Sequence, residues 1–246
     1  MLSPLKSTIL FVSLLLLFSC QPEQKGKTYV ESEPLKDTTS SETAKNTTDS
    51  SFDINNFQNL VETYEDPERS EWQNPSLIID KLGDVKDKVI ADIGAGTGYF
   101  TFRLAGQGAH VIAIDIDERF LNYIEDRKPE LQHIIPDENI ETRLSLENDP
   151  LLLKEEVHMA ILVNTYHFLS DRIEYLKKIK HGMKKNAKIV IVDYKLGQMP
   201  VGPPESMKIT SQQVIEELKE AGFKTIETDK TSLEFQYIIS ARKSDL

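Results

Sequence analysis

Residues 89–106, VIADIGAGTGYFTFRLAG, constrain this chain more than any other stretch. A run of branched apolar residues ends at Asp92, three glycines then alternate with small residues, and a helical pattern begins at Gly98. That order is strand, tight turn, helix. A strand followed by a helix is how a chain reaches a parallel neighbour, because two parallel strands need a crossover of a dozen or more residues.

The alternation continues downstream. The patterns predict strands over 88–93, 110–114, 140–144, 157–163, 188–193 and 224–228. They predict helices over 54–62, 98–106, 118–127, 172–183 and 211–221, with one more between Pro75 near its start and Gly83 at its stop. Runs such as HMAILV and KIVIV are apolar throughout, which suits strands covered on both faces. The end of the chain differs. Only a few turn residues separate the 224–228 strand from LEFQYIISARK, so that last pair must be antiparallel.

The turn itself reads Asp92-Ile93-Gly94-Ala95-Gly96-Thr97-Gly98-Tyr99. A dinucleotide fingerprint needs G-x-G-x-x-G, with backbone N–H groups and a helix N-terminus against pyrophosphate. Here Tyr99 stands where the third glycine belongs and Gly98 comes one residue early, which weakens that reading. Glycines also allow close backbone approach to a ligand without phosphate. The Asp92 carboxylate beside them suits a cationic ammonium or sulfonium better than a phosphate. The next strand ends in Asp115, with Asp117 just beyond. A carboxylate at that place can accept hydrogen bonds from both ribose hydroxyls, so Asp115 indicates a nucleoside without naming it. Asp117 fits a helix cap.

VIADIGAGTGYFTFRLA with VIAIDID resembles motif I and the following acidic motif of class I methyltransferases, which use S-adenosylmethionine (SAM). EDPERSEWQNP, NTYHFL, IVDYK and VGPPESMKI are together similar to a bacterial subfamily of the methyltransferase-11 type. The resemblance covers about residues 64–240. It implies an α/β, Rossmann-like, doubly wound and mostly parallel seven-stranded sheet with an antiparallel terminal strand and helices on both faces. It implies SAM as cofactor, with Gly94, Ala95, Gly96 and Gly98 lining it, Asp92 facing its methionine end, Asp115 on the ribose, and Ile116 and Asn164 as further contacts. The segment that contacts adenine in the family reads RLSLENDP here, without the usual Gly-Asp pair. That leaves Asn148 or Asp149 as candidates, although a helix cap and turn would use them equally well.

Ligands of such sheets lie beyond the carboxyl ends of the strands. The polar clusters there are Asn164-Thr165-Tyr166-His167 and Asp193-Tyr194-Lys195. Methyl transfer is a displacement at a sulfonium carbon, so a base is needed only where the acceptor must lose a proton. His167 is the candidate base or orienting group, with Tyr166 and Asp193 beside it; the alternative is that His167 caps the strand end. Trp72, the only tryptophan, either closes the pocket as part of a lid over 52–85 or packs in a core. The 198–207 loop, QMPVGPPESM, is either a substrate loop or a rigid connector.

Upstream of residue 52 the sequence changes character. An apolar core, TILFVSLLLLF, is shorter than the about 20 residues that span a bilayer, and it leads into Leu17-Phe18-Ser19-Cys20. This resembles a bacterial lipoprotein signal, which implies cleavage after residue 19 and lipidation of Cys20, the only cysteine; a conventional signal with Cys20 as a spectator is the alternative. Residues 20–51 are rich in Ser, Thr, Glu and Lys and read as a disordered tether. The domain then fills 52–246.

Those features predict a protein anchored by lipid to a membrane of the bacterial envelope, outside the cytoplasm. With one cysteine and five scattered histidines, no metal site is expected. The net charge of −11 argues against a nucleic-acid partner; a small-molecule methyl acceptor and a monomer are expected. The competing expectation is a lipoprotein that binds SAM or a nucleoside on this scaffold without turning it over.

Overall fold

The computed structural model describes residues 57–244. The signal segment, Cys20 and the 20–51 tether expected above lie outside the described residues. Three short helices come first: α1 (Phe57–Tyr64), α2 (Arg69–Gln73) and α3 (Pro75–Leu82). The sheet and its connections then follow as β1 (Val89–Ile93), α4 (Tyr99–Gly106), β2 (His110–Asp115), α5 (Glu118–Leu131), β3 (Ile140–Leu144) and β4 (Val157–Val163). The second half consists of α6 (Arg172–Gly182), β5 (Met183–Tyr194), α7 (Ser211–Glu220), β6 (Phe223–Asp229) and β7 (Gln236–Lys243).

The seven strands lie in the order β3-β2-β1-β4-β5-β7-β6. Neighbours from β3 to β5 pair in parallel, and β7 runs antiparallel to both β5 and β6. The reversed strand is therefore not at the rim but inserted one place in. Side chains explain the placement. Residues Tyr237–Ile239 and Ala241 of β7 are all buried, whereas β6 exposes Lys224, Thr225, Glu227 and Thr228. A one-residue bulge between Lys224 and Glu227 also bends β6, which blunts its free edge.

Alternation along each strand divides the core into two layers. Ala91, Ile93, Ile112, Ile114, Leu162, Ile189 and Ile191 pack with Leu176, Ile179, Val214 and Leu218 of α6 and α7. Ile90, Val111, Ala113, Ile161, Val190 and Val192 pack with residues of α3, α4 and α5 on the opposite face. Fully burying one such aliphatic side chain contributes about 1.5–3 kcal/mol, so the continuous apolar strands are what hold the layers together.

Two boundaries differ from the sequence pattern by four residues or more. Helix α5 runs past Pro129 to Leu131. Proline lacks the N–H but keeps a helical φ, and its i−4 neighbour Glu125 is exposed, where water can take the freed carbonyl. Strand β5 begins at Met183 rather than 188, because three extra residues bulge between the pairs Val157↔Met183 and Met159↔Lys188.

A buried polar cluster joins the α6–α7 layer to the end of β4. Tyr166 is fully buried, and its hydroxyl donates to Glu217 Oε2 at 2.6 Å. Arg172 reaches the same carboxylate through Nη2 at 2.9 Å, and Gln213 donates to it at 3.1 Å. Burial pushes Tyr166 well above its usual range, and the acceptor Glu217 adds to the shift. Tyr166→Phe removes one donor and leaves Arg172 in place. The expected loss is about 1–3 kcal/mol of stability, read as a lower urea midpoint with an unchanged slope.

Candidate cofactor and acceptor site

The turn between β1 and α4 is built on the end of β2. Gly94 and Ala95 donate their N–H groups to the Ile114 carbonyl at 2.8 and 3.0 Å. Gly96 donates to Asp115 Oδ2 at 2.9 Å. Gly94 has φ +74°, and a Cβ there would run into the Thr165 side chain. Gly96 has φ +53°, and its Cβ would sit 3.3 Å from the Tyr64 ring. Gly94 is therefore required twice, by backbone conformation and by space, and Gly96 by its backbone conformation.

Asp115 is 9 % exposed and accepts from the N–H of Asp117 as well as that of Gly96. Burial raises its pKa, and those backbone donors work against the rise. A carboxylate has about four lone-pair positions, so two remain for hydroxyl donors. Ile116, next in the chain, is 63 % exposed, an apolar side chain in solvent beside this acid.

Asp92 sits at the end of β1, buried, with Oδ2 accepting from the Thr101 hydroxyl at 2.7 Å. Burial pushes it up to about 6; the Thr101 hydrogen bond and the charge of Arg69 oppose that. Two further buried atoms on the turn, Thr97 Oγ1 and the Tyr99 hydroxyl, have no hydrogen-bond partner among the described residues. A paired-hydroxyl acceptor, a buried carboxylate and unpartnered hydroxyls around a glycine turn fit the ribose and amino-acid ends of SAM.

His167 and Asp193 meet at the ends of β4 and β5. His167 Nδ1 lies 2.8 Å from Asp193 Oδ1, with the two side chains 2 % and 1 % exposed. The backbone N–H of His167 donates to Oδ2 at 3.0 Å and that of Tyr194 to Oδ1 at 2.8 Å. Three donors fix the carboxylate, and with Nδ1–H donated to it, Nε2 is the ring's free acceptor. Phe168, half exposed, lies with its ring centroid 4.1 Å from that of His167. Tyr166 is not part of this pair, since its hydroxyl is held by Glu217. Asp149 is also engaged elsewhere: it accepts from the Leu151 N–H at 2.8 Å and pairs with Lys178 at 3.3 Å, the turn arrangement rather than a base contact.

Of the first three helices, α3 packs in the core layer on one sheet face, whereas Tyr64 of α1 stands beside Gly96 and Arg69 of α2 lies over the Tyr99 ring. Trp72 is partly buried between Tyr194 and Phe235, at centroid distances of 6.3 and 6.4 Å. A chain of amides runs beneath it. Arg69 Nε donates to Gln73 Oε1 at 2.7 Å, Gln73 donates to Gln236 Oε1 at 3.2 Å, and Gln236 donates to Asn164 Oδ1. Asn164, at φ +59°, is thus tied to α2. Sequence reasoning missed Tyr64, Arg69, Gln73, Thr97, Thr101 and Gln236. Only the polar residues inside the otherwise apolar motif I, Thr97 and Thr101, carried a local signal.

The 198–207 loop is braced on itself. Gly197 N–H donates to the Glu205 carboxylate at 2.9 Å, and Lys208 donates to the Gly197 carbonyl at 2.6 Å. Those bonds favour the connector reading. No group of three or more His, Cys, Asp or Glu is gathered for a metal among the described residues.

Residues 91–189 match a family described as a methyltransferase domain. The matched stretch runs from within β1 to within β5 and takes in the glycine turn. A SAM-dependent methyltransferase from Aquifex aeolicus superposes with a TM-score of 0.69 at 24 % identity, over 76 % of this chain and 98 % of that one. Phosphoethanolamine N-methyltransferase 2 of Haemonchus contortus, in complex with SAM, gives 0.60 at 15 % identity, over 70 % and 53 %. Among curated relatives, a tRNA U34 carboxymethyltransferase of Pseudoalteromonas translucida is 30 % identical over 125 residues, 50 % of this chain and 37 % of that protein. The chain thus spans less than half the length of that relative. Further relatives carry the same tRNA name, which overturns the expectation of a small-molecule acceptor and no nucleic acid. Net charge sums the whole chain, whereas an acceptor meets only the face around the glycine turn.

Because burial disfavours the charged form of Asp92, the fold binds its proton more tightly than the unfolded chain does. That contribution to stability is present below about pH 4 and lost as pH rises through about 6. Asp92→Asn should therefore stabilise the protein by about 3 kcal/mol at pH 7.5, with the gain vanishing near pH 4. Urea unfolding across that range checks it; a gain that stays constant with pH contradicts it.

Proposed function

We propose that this chain catalyses SAM-dependent methyl transfer, with His167 taking the acceptor's proton and Asp193 orienting the ring. The observation that carries this reading is the buried 2.8 Å contact between His167 Nδ1 and Asp193 Oδ1, at the ends of β4, the neighbour of β1, and of β5 beyond it. SAM when bound supplies an electrophilic methyl group on a sulfonium. The chain's own contribution is alignment, exclusion of water and proton handling. Asp92 favours the cationic end of the cofactor, Asp115 its ribose, and Thr165 closes the wall against Gly94. His167 accepts a proton at Nε2 while Asp193 stabilises the imidazolium that results.

The acceptor reading rests on the relatives named for tRNA. Phe168, 51 % exposed and lying against the His167 ring, offers a flat face on which a base could stack. Membrane anchoring through Cys20 is a separate proposal supported by the lipoprotein-like sequence around it. It is tested by incorporation of labelled palmitate, lost in Cys20→Ser. An anchored enzyme outside the cytoplasm would meet little tRNA, so anchor and acceptor are best examined together.

The test of the activity is transfer of label from methyl-tritiated SAM to tRNA. His167→Ala leaves Asp193 its two backbone donors, so the fold should persist. Binding of S-adenosylhomocysteine should be retained while transfer falls by about 10²- to 10⁴-fold. Tight binding in the wild type with no transfer to any RNA would favour the non-catalytic binding protein.

A further inference from the structure

Arg69 opens α2 and is 9 % exposed, yet no carboxylate stands within ion-pair distance of it among the described residues. Its hydrogen bonds go to neutral groups: Nε to Gln73 Oε1 at 2.7 Å, and Nη1 to the Tyr64 carbonyl at 2.8 Å. Its guanidinium carbon lies 4.0 Å over the ring of Tyr99, the first residue of α4. Nη2 makes no hydrogen bond to any described residue. Burial lowers the pKa of Arg69, but a guanidinium does not deprotonate in a protein, so a full positive charge is held here without an ion pair; the Glu65 carboxylate favours it from outside ion-pair distance and Arg103 opposes it. Buried charges are ordinarily paired, because an unpaired one is strongly unfavourable.

Asp92 presents the opposite case a short way off. It is buried and negative above about pH 6, its one side-chain hydrogen bond comes from Thr101, and it feels the charge of Arg69 without forming an ion pair with it. Two opposite buried charges flank the glycine turn, and neither closes on the other. A ligand that carries both an ammonium and a carboxylate on one carbon would complement the two at once. The unpartnered hydroxyl of Tyr99, on the ring beneath Arg69, adds a donor on the anion's side.

We propose that Arg69 is the anchor for the α-carboxylate of the cofactor's amino-acid end, with α2 carrying it to the turn. This rests on the SAM reading above. Arg69 also belongs to the amide chain through Gln73 and Gln236 to Asn164, so the residue that holds the carboxylate is hydrogen-bonded onward to the acceptor side.

The test compares two ligands by calorimetry on the full chain in detergent micelles. S-adenosylhomocysteine carries the amino-acid end; 5′-methylthioadenosine is a thioether of the same nucleoside without it. Arg69→Gln should weaken S-adenosylhomocysteine at least about tenfold, the worth of one charge-assisted hydrogen bond, and leave methylthioadenosine unchanged. Arg69→Lys keeps the charge but not the fork, and should recover part of the loss. If Arg69→Gln does not fold, the Lys variant carries the same comparison, with S-adenosylhomocysteine again weakened more than methylthioadenosine. Parallel loss of both ligands, or no loss of either, would overturn the anchor and assign Arg69 to the packing of α2. Wild-type protein that binds methylthioadenosine as tightly as S-adenosylhomocysteine would overturn it as well, while sparing the nucleoside site. Wild-type protein that binds neither would remove the SAM reading itself, and the anchor with it.

Discussion

Three successive backbone N–H groups, those of Gly94, Ala95 and Gly96, are donated to the end of β2, two to the Ile114 carbonyl and one to the Asp115 carboxylate. Everything at the site is placed relative to that clasp. It bends the chain sharply out of β1, so that α4 starts over the sheet, and it leaves Thr165 packed where a side chain on Gly94 would otherwise stand. Because Asp115 receives a donor from the turn and another from Asp117, the acid is aimed before any ligand arrives. Pre-aimed groups lose little ordering entropy on binding, which is the physical advantage of building the site from strand ends rather than from free loops.

The clasp also explains why charges accumulate here. Strand ends bring Asp92, Asp115 and Asp193 close to the apolar layers, and each is buried. Asp193 is satisfied by His167 and two backbone donors, whereas Asp92 has one hydroxyl and Arg69 only neutral acceptors. The fold tolerates the imbalance because the two apolar layers stabilise the sheet from both faces. Local instability at a site of this kind is a familiar accompaniment of binding ability.

Much of the architecture was legible in the sequence, and for identifiable reasons. Glycine spacing located the turn, unbroken apolar strands announced a sheet covered twice, and the short connection before residue 236 required an antiparallel pair. Orientation was not legible. Tyr166 and His167 are adjacent on one short turn after β4, yet one hydroxyl goes to Glu217 and the neighbouring ring to Asp193. Spacing within a cluster cannot say which way each side chain leaves a tight turn. Asp149 likewise had the right composition for a ligand contact, but the geometry of its own turn and Lys178 claim its oxygens. Arg69, Gln73 and Gln236 were invisible because their meaning lies in a pairing across the whole domain, and nothing in either local stretch marks it.

That pairing has a consequence for how the protein is made. Gln73 and Gln236 are separated by 163 residues, and the bond between them joins one of the first helices of the domain to its last strand. Contacts so distant in sequence are late and slow to form, and during synthesis the early partner must wait for the late one to leave the ribosome. Until β7 slots between β5 and β6, α2 has no amide to rest on, and Trp72 lacks Phe235. The half-made chain therefore carries its glycine turn with α2 not yet tied to the sheet. Ligand-binding competence should be among the last properties the nascent protein acquires, arriving with the final strand.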